Sequence, residues 1–412
     1  MNSKERILAA WNGQPVDHLP LTTWCFGFKA PAHLRWQRHG RPVEYWYSMR
    51  LEHIHTLPLP WELDDDFQRV LAWQSLGVDD LLDVSVPWSI DPTVTWRDAV
   101  QPAGSRQPLS LLQRQYQTPA GSLLHSIRQT GEDPGSGWVV QPAYAALFED
   151  YNIPRADKHL VSRPEDVTAA GYLYRPPDAA TRAAFNERME AVAAFAAQHG
   201  VAVQAWSAFG MDAVVWLAGA QGAILLAMDA PQAFARLVDL VAEADYGRSE
   251  LAASAPGVDM LAQRGWYSST DFWSPRLFDG YVFPHLKELC DLAHRYGKKF
   301  AYVMTTGVEK LGPRLADAGV DVLYFVDPLQ DRFSLEKARR LLGERMMLVG
   351  GINALTLASG DREKIRAGVR QAIDSLAPGG RFILHPLDSL FPDTPWEGVE
   401  TMIEAWKEWC NP

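Results

Sequence analysis

The sequence predicts a single α/β domain over residues 1–412, a (β/α)₈ TIM-type barrel with an N-terminal helical extension and a β-hairpin insertion. Three observations point there. The C-terminal half alternates short apolar runs with amphipathic helices in four consecutive β-α units. The N-terminal half carries further apolar runs of strand length. No repeat, low-complexity stretch or linker breaks the chain between them. A doubly wound parallel sheet shares this periodicity and stands as the alternative.

The elements follow in order. MNSKERILAAWNG reads as a short amphipathic helix closed by Gly13. HLPLTTWCFG, VDDLLDVSVPW and VAVQAWSAFG read as strands, and AAFNERMEAVAAFAAQHG as a helix. Residues 91–165 differ. Short β-like pieces such as TVTWRD and LLQRQYQTP alternate with turns such as EDPGSG, so this stretch is expected to leave the barrel as hairpins over the active face. From Pro284 the pattern is regular. A helix stops at Gly297, KKFAYVMTTG is a strand, VEKLGPRLADAG a helix and VDVLYFVD a strand. SLEKARRLLGE is a helix capped by Ser334, MMLVGGIN a strand, DREKIRAGVRQAIDSLAPGG a helix and RFILHPLD a strand, and TPWEGVETMIEAWKEW closes the chain. Apolar strands of this length, each followed by a helix, predict a parallel sheet covered on its outside.

Composition narrows the function. The net charge of -11 without a basic run argues against nucleic acid as a partner. Cys25, Cys290 and Cys410 are odd in number and far apart, which fits a reducing cytoplasm and no disulfide framework. The N-terminal helix lacks the apolar core of a signal peptide. The apolar stretch from Ala213 to Met228 is too short and too broken by Gly219, Gln221 and Gly222 to span a membrane. Sixteen tryptophans supply rigid contact area; most are expected in the core, the remainder in a ligand pocket.

In a β/α barrel the reacting groups sit at the C-terminal ends of the strands. That rule selects Trp24, Cys25, Trp88, Trp206, Met304 to Thr306, Asp327, Asn353, and His385 to Asp388. Asp327 before Pro328 also reads as a turn residue, and Asn353 as the N-cap of the next helix. His385 and Asp388 share one loop after the last strand, where they suit proton transfer or the binding of a polar substrate. The competing reading for Asp388 is a side-chain turn. RGWYSSTDFWSP places Trp266, Tyr267 and Trp273 around Asp271, a lining for an apolar or cationic small molecule or, equally, a plug under the next helix. No nucleotide-binding fingerprint or nucleophile elbow is present. His53 and His55 face one way only on a strand, and no pair has zinc spacing.

At these residues the chain resembles the uroporphyrinogen decarboxylase superfamily. SKERILAAWNGQPVDHLPL is similar to its opening helix and first strand, and YQTPAGSLL and SRPEDV to its Thr-Pro-X-Gly-X-Leu and Pro-Glu-Asp segments. FWSPRLFDGYVFPHLKELCDLAHRYGKKF, GVDVLYFVDPLQD, VGGINALTLASGDREKIRAGVRQAI and GGRFILHPLDSLFPDTPWEGVE are similar to its later strands and helices, in order. The resemblance implies the eight-fold barrel, and either decarboxylation or transfer of methyl groups among substrates, corrinoids, thiols and folates. Where decarboxylases of that family carry an arginine-bearing motif, this chain reads TTWCFGFKAP, and Lys29 cannot form a bidentate fork. Where its thiol-activating methyltransferases carry a zinc-binding His-X-Cys-Gly, this chain reads MTTG, with Met304 and Thr306 at the ligand positions and Asp388 near the further cysteine.

The resemblance therefore implies a methyltransferase, or demethylase, moving a methyl group from a small substrate such as an aryl methyl ether or methylamine. The acceptor is expected to be tetrahydrofolate or a corrinoid carried by a separate protein; no zinc is expected. Asp388, His385 and Asp271 are the expected catalytic groups. Trp24, Trp206, Tyr267, Trp273, Met304, Thr306, Asp327 and Asn353 are the expected substrate contacts. The alternatives are a decarboxylase or lyase acting on a smaller acid, and a non-catalytic ligand-binding barrel. The expected partners are the small molecule, the corrinoid protein and a second copy of the chain, with neither nucleic acid nor membrane.

Overall fold

The computed structural model describes residues 1–25, 28, 30–34, 37–38, 41–42, 63–105, 108–128, 155–391 and 393–411. Lys29, His53, His55 and the EDPGSG turn lie outside the described residues.

Seven parallel strands form one curled sheet. They are β1 (Leu81–Ser85), β6 (Ala202–Ala208), β7 (Met260–Gln263), β8 (Lys299–Val303), β9 (Val322–Val326), β10 (Met347–Asn353) and β11 (Phe382–Leu387), in that spatial order. Residues 20–25 supply the eighth wall. Leu21 and Cys25 bridge in parallel to Leu384 and Leu390, and Leu384 N–H donates to the Pro20 carbonyl at 3.0 Å. On the other side Asp79 N–H donates to the Leu21 carbonyl at 2.8 Å. The sheet is thereby closed into the (β/α)₈ barrel, which removes its edges.

The helices are α1 (Ser3–Trp11), α2 (Leu63–Ser75), α3 (Asp166–Ala170), α4 (Ala179–His199), α5 (Met211–Ala218), α6 (Ala220–Asp229), α7 (Pro231–Ser254), α8 (Pro275–Tyr281), α9 (Phe283–Arg295), α10 (Val308–Ala318), α11 (Leu335–Leu342), α12 (Ala354–Ala358), α13 (Arg362–Leu376) and α14 (Trp396–Trp409). Their ends follow from side-chain chemistry. Asp178, Ser274, Ser334 and Asp361 each accept a backbone N–H three residues on, satisfying the first turns of α4, α8, α11 and α13. Gly200 and Gly319 end α4 and α10 in left-handed backbone that a side chain would strain. No single helix among the described residues is long and apolar enough to cross a membrane; α5 and α6 pass that test together but bend by 97°, and α5 is wholly buried.

Strand periodicity sorts the core into two shells. Leu81, Ala202, Met260, Ala301, Val322, Met347 and Ile383 point into the barrel, where Ile7, Ala10 and Trp11 of α1 join them. Their neighbours Leu82, Val203, Leu261, Phe300, Leu323, Leu348 and Phe382 point outward into the larger core that they share with the helices. The expected excursion contains an antiparallel sheet in chain order, β2 (Thr95–Gln101), β3 (Leu111–Thr118), β4 (Gly121–Arg128) and β5 (Ala156–Lys158). TVTWRD and LLQRQYQTP are its first two strands.

Candidate functional site

The inward positions nearest the C-terminal strand ends are aromatic and polar. Trp24 stacks on Tyr324 with ring centroids 4.8 Å apart. It meets Trp206 edge-on at 5.0 Å, His385 edge-on at 5.2 Å and Trp266 at 6.3 Å. Trp206 and Trp266 lie near-parallel at 6.2 Å. The rings are thus contributed by the first wall, β6, the loop after β7, β9 and β11.

Asp83 of β1 sits among them. Its Oδ1 accepts the Trp206 indole N–H at 3.0 Å and the Gln204 amide at 2.9 Å, and the Tyr324 hydroxyl donates to Gln204 at 3.1 Å. Burial raises the Asp83 carboxyl to about 7, against the opposing pull of Arg69. His385 Nδ1 pairs with the Thr22 hydroxyl at 2.9 Å. Burial pushes its imidazole down to about 3, so at neutral pH it is an uncharged hydrogen-bonding ring and not a titrating acid.

Two buried arginines hold this end of the barrel. Arg248 is fully buried; it donates to the carbonyls of Val86, just after β1, and Trp206, within β6, and pairs with Asp245 at 3.0 Å. Arg264 pairs with Asp212 at 3.2 Å and lies over the Trp266 ring at 4.4 Å. Gly265 lets the next turn approach β8, since a Cβ there would lie 2.4 Å from the Val303 carbonyl oxygen.

The rim is acidic. Asp271 is exposed and accepts the Thr306 hydroxyl at 2.6 Å. Asp327 accepts the Leu329 amide at 2.7 Å and the Asn353 side chain at 2.6 Å, and Asn353 caps α12 through Leu355 N–H. The turn and cap readings of these two residues therefore coexist with a link between two strand ends. Asp331 accepts the first amides of α10 from Gly307 and Val308; burial raises its pKa, and Asp271 and Asp327 raise it further. Asp388 is half-buried directly after β11.

The structure brings Trp24, Trp206 and His385 together, and adds Asp83, Gln204, Trp266 and Tyr324. It sets Thr306, Asp327, Asn353 and Asp271 on the rim. Tyr267 is half-buried, with its N–H donated to Asp212 at 3.0 Å. Trp273, Met304, Trp88 and Cys25 belong to the outer shell instead. Trp273 donates to the Tyr267 carbonyl and packs on Phe234, and Trp88 donates to the Leu173 carbonyl. Among the described residues no three His, Cys, Asp or Glu side chains gather as a metal would require.

The family model for uroporphyrinogen decarboxylase (URO-D) matches residues 147–409. No curated protein matches the chain. Among solved structures, a methyltransferase from Methanosarcina mazei aligns over 99% of both chains at 18% identity with a TM-score of 0.58. The 3-keto-D-glucoside 4-epimerase YcjR from E. coli aligns over 61% of this chain and 95% of its own, at 11% identity and a TM-score of 0.31. The first likeness supports the fold over the whole chain; the second is too distant to carry weight.

Proposed function

The chain belongs to the uroporphyrinogen decarboxylase family, and from that premise we propose that it is a methyltransferase that takes a methyl group from a small substrate held among Trp24, Trp206, Trp266 and Tyr324. The observation that carries this reading is the lining of the barrel's C-terminal end. It offers ring faces and one inward carboxylate, while the arginines beside it, Arg248 and Arg264, are already paired with Asp245 and Asp212. Among the described residues, a substrate bearing several carboxylates meets guanidiniums already paired in the lining and, at the rim, the acids Asp271, Asp327 and Asp331 beside Arg332. This weighs against the decarboxylase alternative. It also favours a corrinoid carried by a separate protein over tetrahydrofolate as acceptor, because the folate tail is anionic.

Methyl transfer depends on holding donor and acceptor in line, which rigid aromatic walls do at low entropic cost. The atom that loses the methyl needs a proton. Asp388 on the half-buried loop after β11 is the proposed donor, with His385 as a neutral orienting partner. Asp271 and Thr306, hydrogen-bonded to each other, are proposed to frame the entrance.

The test is a panel of methylated amines and aryl methyl ethers, offered with a corrinoid protein or with tetrahydrofolate, with demethylated product read by mass spectrometry. Turnover is expected with at least one donor. Asp388→Asn is expected to lower it by about 10²-fold with an unchanged melting temperature. No product from any pair, alongside tight ligand binding, would leave a non-catalytic binding barrel. Conversion of uroporphyrinogen at about 1 per second would overturn the reading outright.

A further inference from the structure

We infer that the methyl donor for this lumen is a small methylammonium cation and not a neutral methyl ether, an inference that rests on the methyl-transfer reading above. Three features of the same space carry it.

The first is the ring set. Trp24, Trp206, Trp266 and Tyr324 come from four different walls, yet each pair named above has centroids within 6.3 Å. Aromatic faces carry negative charge density, and a desolvated cation gains from them what a neutral group of the same size does not. The site already uses this chemistry, since Trp266 also covers the Arg264 guanidinium at 4.4 Å.

The second is Asp83. Its Oδ1 takes both N–H donors, from Trp206 and Gln204, and Oδ2 receives no hydrogen bond from any described residue. A carboxylate only 8% exposed is costly to keep ionised, and a cation beside it offsets that cost. A neutral ether can only accept a hydrogen bond from the protonated carboxyl and offers the ionised form nothing. Burial raises its carboxyl to about 7 even against the pull of the Arg69 guanidinium.

The third is the rim. In the described loops 304–307, 327–334 and 388–391 the ionisable side chains are Asp327, Asp331, Asp388 and a single cation, Arg332; Asp271 adds another acid through Thr306. These described acids draw cations toward the aromatic lining and repel anions.

The experiment separates charge from shape. The full-length protein at pH 8 and low salt is titrated with choline and with 3,3-dimethylbutan-1-ol, its neutral carbon isostere, with binding read by calorimetry and tryptophan fluorescence. Choline is expected to bind at least about tenfold more tightly than the alcohol. Asp83→Asn is expected to erase most of that preference while leaving the alcohol's affinity alone. Trp266→Leu, which keeps Asp83, is expected to weaken choline more than the alcohol and serves should the first variant fold poorly. Equal affinities, a tighter alcohol, or no saturable choline binding overturns the inference. Failure of the methyl-transfer reading looks different: choline binds with its charge preference, but no methylated amine passes a methyl group to either acceptor.

Discussion

Asp83 lies in the middle of an otherwise apolar strand, LLDVS, with its side chain inside the barrel. Burial is the largest influence on it; Asp80 also raises its pKa, while Arg69 and the N–H groups of Trp206 and Gln204 lower it. Its hydrogen-bond partners Gln204 and Trp206 are uncharged, and Arg69 acts on it through its charge. The consequence for stability has a definite sign. The folded value of about 7 lies above the ordinary 3.8. Between those values the folded chain holds a proton that the unfolded chain has released, so this residue's contribution is full in acid and is lost as pH rises through about 7. Asp83→Asn keeps an oxygen for the two N–H donors and removes the charge. We expect its melting temperature to exceed the parent's, by more at pH 8 than at pH 5, at the expense of cation binding. Thermal melts across that range check this; a variant less stable than the parent at pH 8 would refute it. The same residue shows what sequence reading could and could not find. Trp24, Trp206 and His385 were legible as strand-end residues. Asp83, Gln204 and Tyr324 sit a step deeper, within apolar runs that read as core. The signal was there, since a charge and an amide at alternate positions of paired strands must share one face. Met304 was placed one residue out: Val303 points inward, so its neighbour points outward, the reversal any single-residue shift in a strand produces.

Among the elements, most of the C-terminal half was readable because each helix carries a stop or a cap. The Pro284–Tyr296 reading differs from α9 by one residue at each end. Strand β7 was not readable as a strand. It has four residues, follows a helix end and runs straight into the aromatic loop 264–273, so it gives no periodicity of its own. Neighbouring strands hold it, through pairs such as Gln204 with Met260 and Ala301 with Ala262. Its importance is that it delivers Arg264 and Trp266 to the site, and Gly265 between them sets how closely. Gly265→Ala would press a methyl group on the Val303 carbonyl oxygen and the Tyr302 ring. A backbone oxygen held in a barrel strand cannot move aside cheaply, so overpacking of about 1–3 kcal/mol is expected. The displacement should also carry the Trp266 ring away from Trp206. Lower stability in urea together with weaker choline binding is the expected pair of results. Weaker stability with unaltered choline affinity would show that Trp266 does not depend on this approach.

The whole molecule divides its two ends by task. The C-terminal end of the barrel carries the rings and carboxylates, and α1 meets the inner core with Ile7, Ala10 and Trp11 beside Leu81, Met260, Met347 and Ile383. α1 is fixed from outside by Arg6, which pairs with Asp17 at 2.6 Å and with Asp79, and by a capping box between Asn2 and Glu5. A sequence reader sees α1 as an amphipathic extension; that it completes the barrel core follows only from closure, which residues 20–25 achieve through bridges to β11. Those bridges join positions more than three hundred residues apart and leave no local pattern. The division predicts that stability and binding can be changed separately. Trp11 is 2% exposed and belongs to the inner cluster. Removing its ring in Trp11→Ala leaves a cavity that the surrounding barrel wall, closed by hydrogen bonds on every side, can collapse into only in part. A loss of about 3–5 kcal/mol is expected in urea unfolding. Trp11 shares the inner cluster with Trp24, Trp206 and Tyr324 but sits on α1, away from the C-terminal strand ends, so choline affinity measured well below the transition should stay within about twofold of the parent, a change of under about 0.5 kcal/mol. A large stability loss with unchanged affinity separates the stabilising end from the binding end, as the barrel architecture requires. If affinity falls in step with stability, the rings of the lumen depend on the α1 plug, and the lumen behaves as one cooperative unit from α1 to the rim.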